Sequence, residues 1–135
     1  MVSTIEVPMT FDAVTRNPSA LSSSFEGCRA GVILLADGLA CLTAEGWILS
    51  SDAARSVKVG EMVDLKVVFD DRVSPARVEY WIAAQGAWQK IAEGDVRGNA
   101  RKIESIELEG PAVVTSLRGD YQEAEMRHGA VILLS

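Results

Sequence analysis

The residues of this chain whose types and spacing could do chemistry are mainly aromatic. Trp81 and Trp88 lie on either side of a turn predicted at Gln85-Gly86. Exposed tryptophans stack on sugar rings and anchor protein interfaces. Arg77 and Glu79 precede Trp81 with the same parity, so a strand would place all three on one face. We therefore expect Trp81, Trp88, Arg77 and Glu79 to form a ligand-binding face. The alternative is that either tryptophan covers the edge of the core.

Nucleophilic and acid–base chemistry has few candidates in this sequence. The one histidine, His128, lies between Arg127 and Gly129 in a predicted turn, where we expect an exposed loop side chain. A Cys–His pair with Cys28 or Cys41 is formally possible, but neither cysteine lies among the basic residues that lower a thiol pKa. One histidine and two cysteines also provide no zinc ligand set.

Paired carboxylates are the remaining catalytic possibility. Glu107 and Glu109 share one face of a predicted strand, roughly 7 Å apart, which is within the range of inverting glycosidases. Alternating glutamates are also typical of the wet face of a sheet. The other strand carboxylates considered are Asp64, Glu79 and Glu104.

Metal and phosphate motifs are missing from the sequence. Asp70-Asp71 and Asp120 could each contribute a calcium ligand, but neither lies in the D-x-D-x-D-G spacing of a calcium loop. No glycine pattern matches a phosphate-binding loop. We therefore expect a non-catalytic protein with no metal and no cofactor.

The elements that must position these side chains are strands. Between Glu61 and Asp70 apolar residues alternate with polar ones, which predicts a strand with one buried and one wet face. The same alternation places Val78, Tyr80 and Ile82 opposite Trp81. One-sided burial favours an antiparallel sheet over a parallel one.

Turn signals every 8 to 12 residues extend this interpretation to the whole chain. Residues 1–135 are expected to form a single domain, an all-β, two-sheet antiparallel sandwich that is jelly-roll-like. Pro8 marks the first strand as an edge strand. The predicted strands are 4–10, 29–35, 39–44, 46–50, 62–69, 76–84, 87–92, 102–109, 112–117 and 130–134, with one helical turn at 51–56 capped by Ser51 or Asp52.

Composition restricts the partners. A formal net charge of −6 and a pI near 4.8 argue against a nucleic-acid or anionic-membrane partner. No apolar run reaches the length of a membrane helix, so we expect no membrane insertion. The first ten residues lack the features of a signal peptide. Either a leader has been removed and the protein is extracellular or on the cell surface, or it works in the cytoplasm or in a virion.

The sequence does not decide whether its two cysteines, Cys28 and Cys41, form a disulfide. A hairpin turn at Asp37-Gly38 would place Cys41 opposite Ile33 or Leu34, and a bridge to Cys28 would need another register. The parity of Cys41 with Leu39 predicts a buried thiol.

Three segments resemble concanavalin-like (laminin-G-like) jelly-roll domains. They are residues 59–70 (VGEMVDLKVVFD), 76–82 (ARVEYWI) and 103–110 (IESIELEG). The resemblance covers about residues 57–119 and implies a two-sheet sandwich that, in many members, binds carbohydrate or protein. The calcium-binding and sugar-binding residues of the family do not map onto a motif here. PilZ domains have similar glycine-rich strands, but their arginine pair and D-x-S-x-x-G signature are missing.

Three functional hypotheses follow from the sequence. The first is a binding or adhesion module that recognises a glycan or protein through an exposed aromatic patch. The alternative is a structural assembly protein of a virion or surface appendage, a homo-oligomer in which strand 4–10 or 130–134 pairs between chains. A glycosidase using Glu107 is the third.

Overall fold

Strands dominate the computed structural model of the protein, which describes residues 2–11, 13–14, 28–98, 111–113, 116–117, 125–127 and 131–134. Eleven strands and one short helix lie in these ranges. The elements are β1 (Val2–Thr10), β2 (Cys28–Leu35), β3 (Gly38–Thr43), β4 (Gly46–Ile48), α1 (Asp52–Arg55), β5 (Met62–Asp70), β6 (Arg77–Ala84), β7 (Ala87–Asp95), β8 (Pro111–Val113), β9 (Ser116–Leu117), β10 (Glu125–Arg127) and β11 (Val131–Leu134).

The strands form antiparallel sheets, as predicted. A five-stranded sheet has the order β7-β6-β5-β1-β9, and a four-stranded sheet has the order β11-β2-β3-β4. Strands β8 and β10 form a separate pair. The all-β prediction is therefore confirmed for the described residues. The predicted strand 102–109 lies outside them.

Both large sheets contribute to one apolar core. The inward residues of β5 and β6 are those that the alternation predicts, and Leu65, Val67, Val78 and Tyr80 have no exposed surface. From the four-stranded sheet, alternate residues of β2 and β3 enter this core. They are Ala30, Val32, Leu34, Leu39 and Cys41.

The four-stranded sheet departs from the expected alternation because its second face is also apolar. Every residue of β3 is buried. Ile33, Ala40 and Leu42 form a second cluster, against which Leu35, Trp47 and Leu49 pack. The apolar residues of β2 and β3 are consecutive rather than alternating, which is the pattern of a strand buried on both faces.

The structure differs from the prediction at several strands. The first strand is not an edge strand, since β1 pairs with β5 along its length and with β9 at Ile5 and Glu6. Segment 112–117 is divided between β8 and β9. Strand β10 lies between the predicted strands 112–117 and 130–134, where no strand was expected, and β7 continues through Gly94 to Asp95.

The two cysteines lie on the neighbouring strands β2 and β3. The residue opposite Cys41 is one position from the nearer of the two expected, Ile33 and Leu34. Cys41 is opposite Val32, and Cys28 is opposite Leu134 in β11. Cys41 is a free thiol in the core, as its parity predicted.

The helical turn forms where it was predicted. Ser51 caps α1, since its Oγ accepts a hydrogen bond of 3.2 Å from the backbone N–H of Ala53. Gly38 contacts the C-terminal half of α1 so closely that a Cβ there would meet the Ala54 carbonyl. No helix in the described part of the chain has the length and apolarity needed to span a membrane.

Candidate functional site

The candidate site is the outer face of the five-stranded sheet, on the opposite side from the core. Trp81 on β6 is half-buried, and Trp88 on β7 is 37% exposed. Strand register places Trp81 between Lys66 of β5 and Lys90 of β7, while Trp88 is opposite Ala83. Both tryptophans therefore lie on the wet face, next to each other, as their parity and the intervening turn predict.

The Lys66 ammonium lies over both indole rings. Its Nζ is 4.8 Å from the ring centroid of Trp81 and 4.6 Å from that of Trp88. Lys90 Nζ approaches the Trp81 ring at 5.6 Å. These distances are those of cation–π contacts, worth about 0.5–1 kcal/mol at exposed positions. Lys66 therefore contacts both tryptophans, so the three side chains form one patch.

Glu79 orients the Trp81 ring. Its Oε1 accepts a hydrogen bond of 2.9 Å from the indole Nε1–H of Trp81, its same-face neighbour two residues along β6. The bond satisfies the one polar group of the indole, whose ring also contacts the Lys66 and Lys90 ammonium groups. Two of the predicted site residues are thus in direct contact.

Arg77 lies on the same face but binds acidic residues of β7 rather than the aromatic pair. Its guanidinium is 3.1 Å from Asp95 and 3.9 Å from Glu93. Glu93 in turn accepts a hydrogen bond of 3.1 Å from Lys90 Nζ. These pairs are exposed, so each contributes little to stability, but together they form a charged border beside the tryptophans.

A β-bulge in β7 determines which side chains form this charged border. Tyr80 is opposite Ala92 and Trp81 is opposite Lys90, so Ile91 is the extra residue between them. Ile91 and Ala92 are both buried, and the parity of outward residues changes at this point. Glu93 and Asp95 consequently face outward together with Trp88 and Lys90, although simple alternation would separate them.

The far end of the same face contains a small hollow of about 280 Å³. Arg77 and Glu79 form part of its wall. Arg72 also lines it and binds Asp70 through two side-chain hydrogen bonds of 2.9 Å. These bonds hold the pKa of the Asp70 carboxyl at about 2, below its ordinary value. The remaining lining residues are Val2, Val68 and Val73.

Sequence reasoning missed Lys66, which is central to the patch. The alternation in β5 predicts that Lys66 points outward, but it does not predict which residue of β6 lies opposite. Asp70 pairs with Arg77, so the β5–β6 register depends on the intervening loop 71–76, whose length the sequence pattern leaves open. A six-residue connection allows several registers, whereas a two-residue turn would have specified one.

Most of the residues named for the catalytic and calcium-binding alternatives lie outside the described residues. Glu104, Glu107, Glu109, Asp120 and His128 all lie outside them. Within the described ranges, no group of three or more histidine, cysteine or acidic side chains could hold a metal ion.

Comparison with protein-family models, with curated protein sequences and with solved structures finds no match for this chain.

Proposed function

We propose that the protein is a non-catalytic binding module that recognises a glycan through the outer face of its five-stranded sheet. The observation that carries this proposal is the pair of tryptophans, Trp81 and Trp88, held side by side under the Lys66 ammonium. Sugar rings present apolar C–H faces that stack on indoles, and hydroxyls that bind charged side chains at the edge. Both kinds of group are present on this face.

The surroundings of the tryptophans favour a glycan over a protein ligand. Lys90, Glu93 and Arg77 border the aromatic pair, and each is exposed. The buried centre of a protein interface is depleted in charged residues. Lys66 is charged and lies at the centre of the patch, over both rings, so this face suits a hydroxyl-rich ligand better. Recognition of a protein is the other outcome of the test below.

The finer architecture is also part of the proposal. A jelly-roll-like β-sandwich is supported by the contribution of both large sheets to one core. The resemblance of residues 57–119 to concanavalin-like domains fits this arrangement and adds carbohydrate binding as a property of many such domains. The ligand residues proposed here come from geometry and not from that resemblance.

A structural assembly role is the second candidate. Of its two proposed pairing strands, β1 lies inside the sheet order, whereas β11 lies at one end of the four-stranded order. Pairing of β11 with a second chain would extend that sheet. Light scattering after size-exclusion chromatography tests this role, which predicts a defined oligomer that binds no glycan.

A glycan array tests the binding role directly. The labelled protein is applied beside Trp88→Ala and beside Trp47→Phe, which changes a tryptophan on the other sheet. We expect wild type and Trp47→Phe to bind the same glycans and Trp88→Ala to lose them. A displayed peptide library screened with the same three proteins tests the protein alternative. Glycan binding that persists in Trp88→Ala would overturn the proposal.

A further inference from the structure

The outer face of the five-stranded sheet continues beyond the tryptophans into the hollow of about 280 Å³. Glu79 belongs to both parts, since its carboxylate accepts the hydrogen bond from Trp81 and also lines the hollow. Arg77, another lining residue, lies four positions before Trp81 in β6, or about 13 Å along the strand. The tryptophan patch and the hollow are therefore neighbouring parts of one continuous surface.

Apolar side chains in the hollow are open to solvent. Val2 is 37% exposed and Val73 is 47% exposed. Val68, which also lines the hollow, is half-buried. Ligand sites combine apolar contact area with a few polar groups that orient the ligand, and a sugar ring has both an apolar C–H face and hydroxyls. The hollow consequently offers the same mixture of contacts as the tryptophan patch.

The loop 71–76 contributes one wall of the hollow and is held at both ends. The backbone N–H of Arg72 donates a hydrogen bond of 3.0 Å to Asp70 Oδ1, and its guanidinium donates two of 2.9 Å to the same carboxylate. At the other end of the loop, the backbone N–H of Val96 donates a bond of 2.8 Å to the Ala76 carbonyl oxygen. A wall that is already ordered costs a ligand less conformational entropy on binding.

Arg72 also has donors that its pair with Asp70 does not use. A guanidinium carries five N–H groups, and this pair occupies one on Nε and one on Nη2. The Arg72 side chain is 66% exposed, and Asp70 is the one partner of its guanidinium within the described residues. The remaining N–H groups are therefore free to bind a hydroxyl of a ligand in the hollow.

We propose that the ligand is a linear oligosaccharide that runs along this face from Trp88 to the hollow. Its first units stack on the tryptophans, and the following units pass Glu79 and lie against Val73 and Arg72. One sugar ring is too short to contact both the tryptophans and the hollow, so the site takes several units. This inference rests on the proposed glycan binding and adds the length and direction of the ligand.

Calorimetric titration with linear oligosaccharides of two lengths tests the inference. The probes are the disaccharide and the hexasaccharide of β-1,4-linked glucose, of β-1,4-linked N-acetylglucosamine and of α-1,4-linked glucose. In the series that binds, the hexasaccharide should bind at least about tenfold more tightly than the disaccharide. This gain exceeds what the several registers of a long chain on a short site would provide.

Val73→Ser tests the contribution of the hollow. Val59→Ser is the matched control, because both valines are 47% exposed and, of the two, only Val73 lines the hollow. Val73→Ser should lower the affinity for the hexasaccharide at least about threefold, since it removes apolar contact area, and leave that for the disaccharide unchanged. Val59→Ser should change neither affinity.

Backbone amide signals of the ¹⁵N-labelled protein locate the ligand independently of its affinity. The disaccharide should shift signals of residues 81–90 alone, and the hexasaccharide should also shift those of residues 68–73. Equal affinities for the two lengths, with binding lost in Trp88→Ala, would overturn the extended site and leave the tryptophan site standing. Binding of no series, or binding that persists in Trp88→Ala, would instead count against glycan recognition itself and the extended site with it.

Discussion

The hydroxyl of Tyr80 donates a hydrogen bond of 2.6 Å to the backbone carbonyl oxygen of Leu42. The same hydroxyl accepts a bond of 3.0 Å from the backbone N–H of Gly31. The β2–β3 ladder ends at Val32 and Cys41, so Gly31 and Leu42 would be its next pair. Tyr80, from the other sheet, occupies the position of that missing ladder bond. One side chain therefore links the strand that carries Trp81 to the four-stranded sheet.

Tyr80→Phe should destabilise the protein by about 1–3 kcal/mol, since it leaves a buried N–H and a buried C=O without their partner. Urea unfolding followed by circular dichroism measures this, and the dependence on urea concentration should be unchanged. Ile82→Val, a conservative change on the same face of β6, is the control and should cost about 0.5–1.5 kcal/mol. A Tyr80→Phe protein as stable as wild type would show that the hydroxyl does not stabilise the contact between the sheets.

Gly38→Ala should destabilise the protein by more than about 1 kcal/mol, because its φ of 139° disfavours a side chain. The new Cβ would also lie 2.5 Å from the Ala54 carbonyl oxygen. Gly46→Ala separates these two causes, since Gly46 has a φ of 103° and nothing within 4 Å of its Cβ position. Thermal unfolding should rank Gly38→Ala as the more damaging change. The reverse order would contradict the close contact with α1.

Lys66→Met tests the cation–π contacts in a cycle with Trp88→Ala. Methionine keeps the aliphatic stem and removes the charge, so we expect a coupling energy of about 0.5–1 kcal/mol between the two changes. The free energies of unfolding of both single variants and the double variant provide it. Lys58→Met, in an exposed turn, should show no coupling to Trp88→Ala. Strict additivity at Lys66 would argue against contact with the ring.

Asp70 should titrate at about pH 2, because hydrogen bonds from Arg72 stabilise its charged form. Its pKa is lower in the folded protein than in the unfolded chain, so the pair stabilises the fold above about pH 4. This contribution is lost as the pH falls towards 2. Carboxyl ¹³C chemical shifts measure the titration. Arg72→Gln should move the midpoint up towards 3.8, the ordinary value, and Arg55→Gln should not.

Cys41 should be inert in the native protein. Burial raises the pKa of its thiol far above the usual range, so the reactive thiolate is scarce. In a Cys28→Ser variant, where Cys41 is the one thiol, a chromogenic disulfide reagent should react only after denaturant is added. Reaction under native conditions at the rate of a free thiol would show that the core is open around β3.

The sequence was sufficient for the outward face of β6 because alternation directly predicts which side chains share a face. It placed Arg77, Glu79 and Trp81 together and Tyr80 in the core. The sequence was insufficient for contacts that depend on how strands pair or how the two sheets pack. The Lys66–Trp81 register depends on a six-residue loop, the outward direction of Glu93 depends on the Ile91 bulge, and the Tyr80 hydroxyl bond depends on how the two sheets meet.

The central claim is that Trp81 and Trp88 form the binding surface, and calorimetric titration of the glycan selected by the array tests it most directly. Trp88→Ala should raise the dissociation constant at least tenfold, which corresponds to about 1.4 kcal/mol, and Trp47→Phe should leave it unchanged. An unchanged dissociation constant in Trp88→Ala, or an array that selects no glycan, would contradict the account.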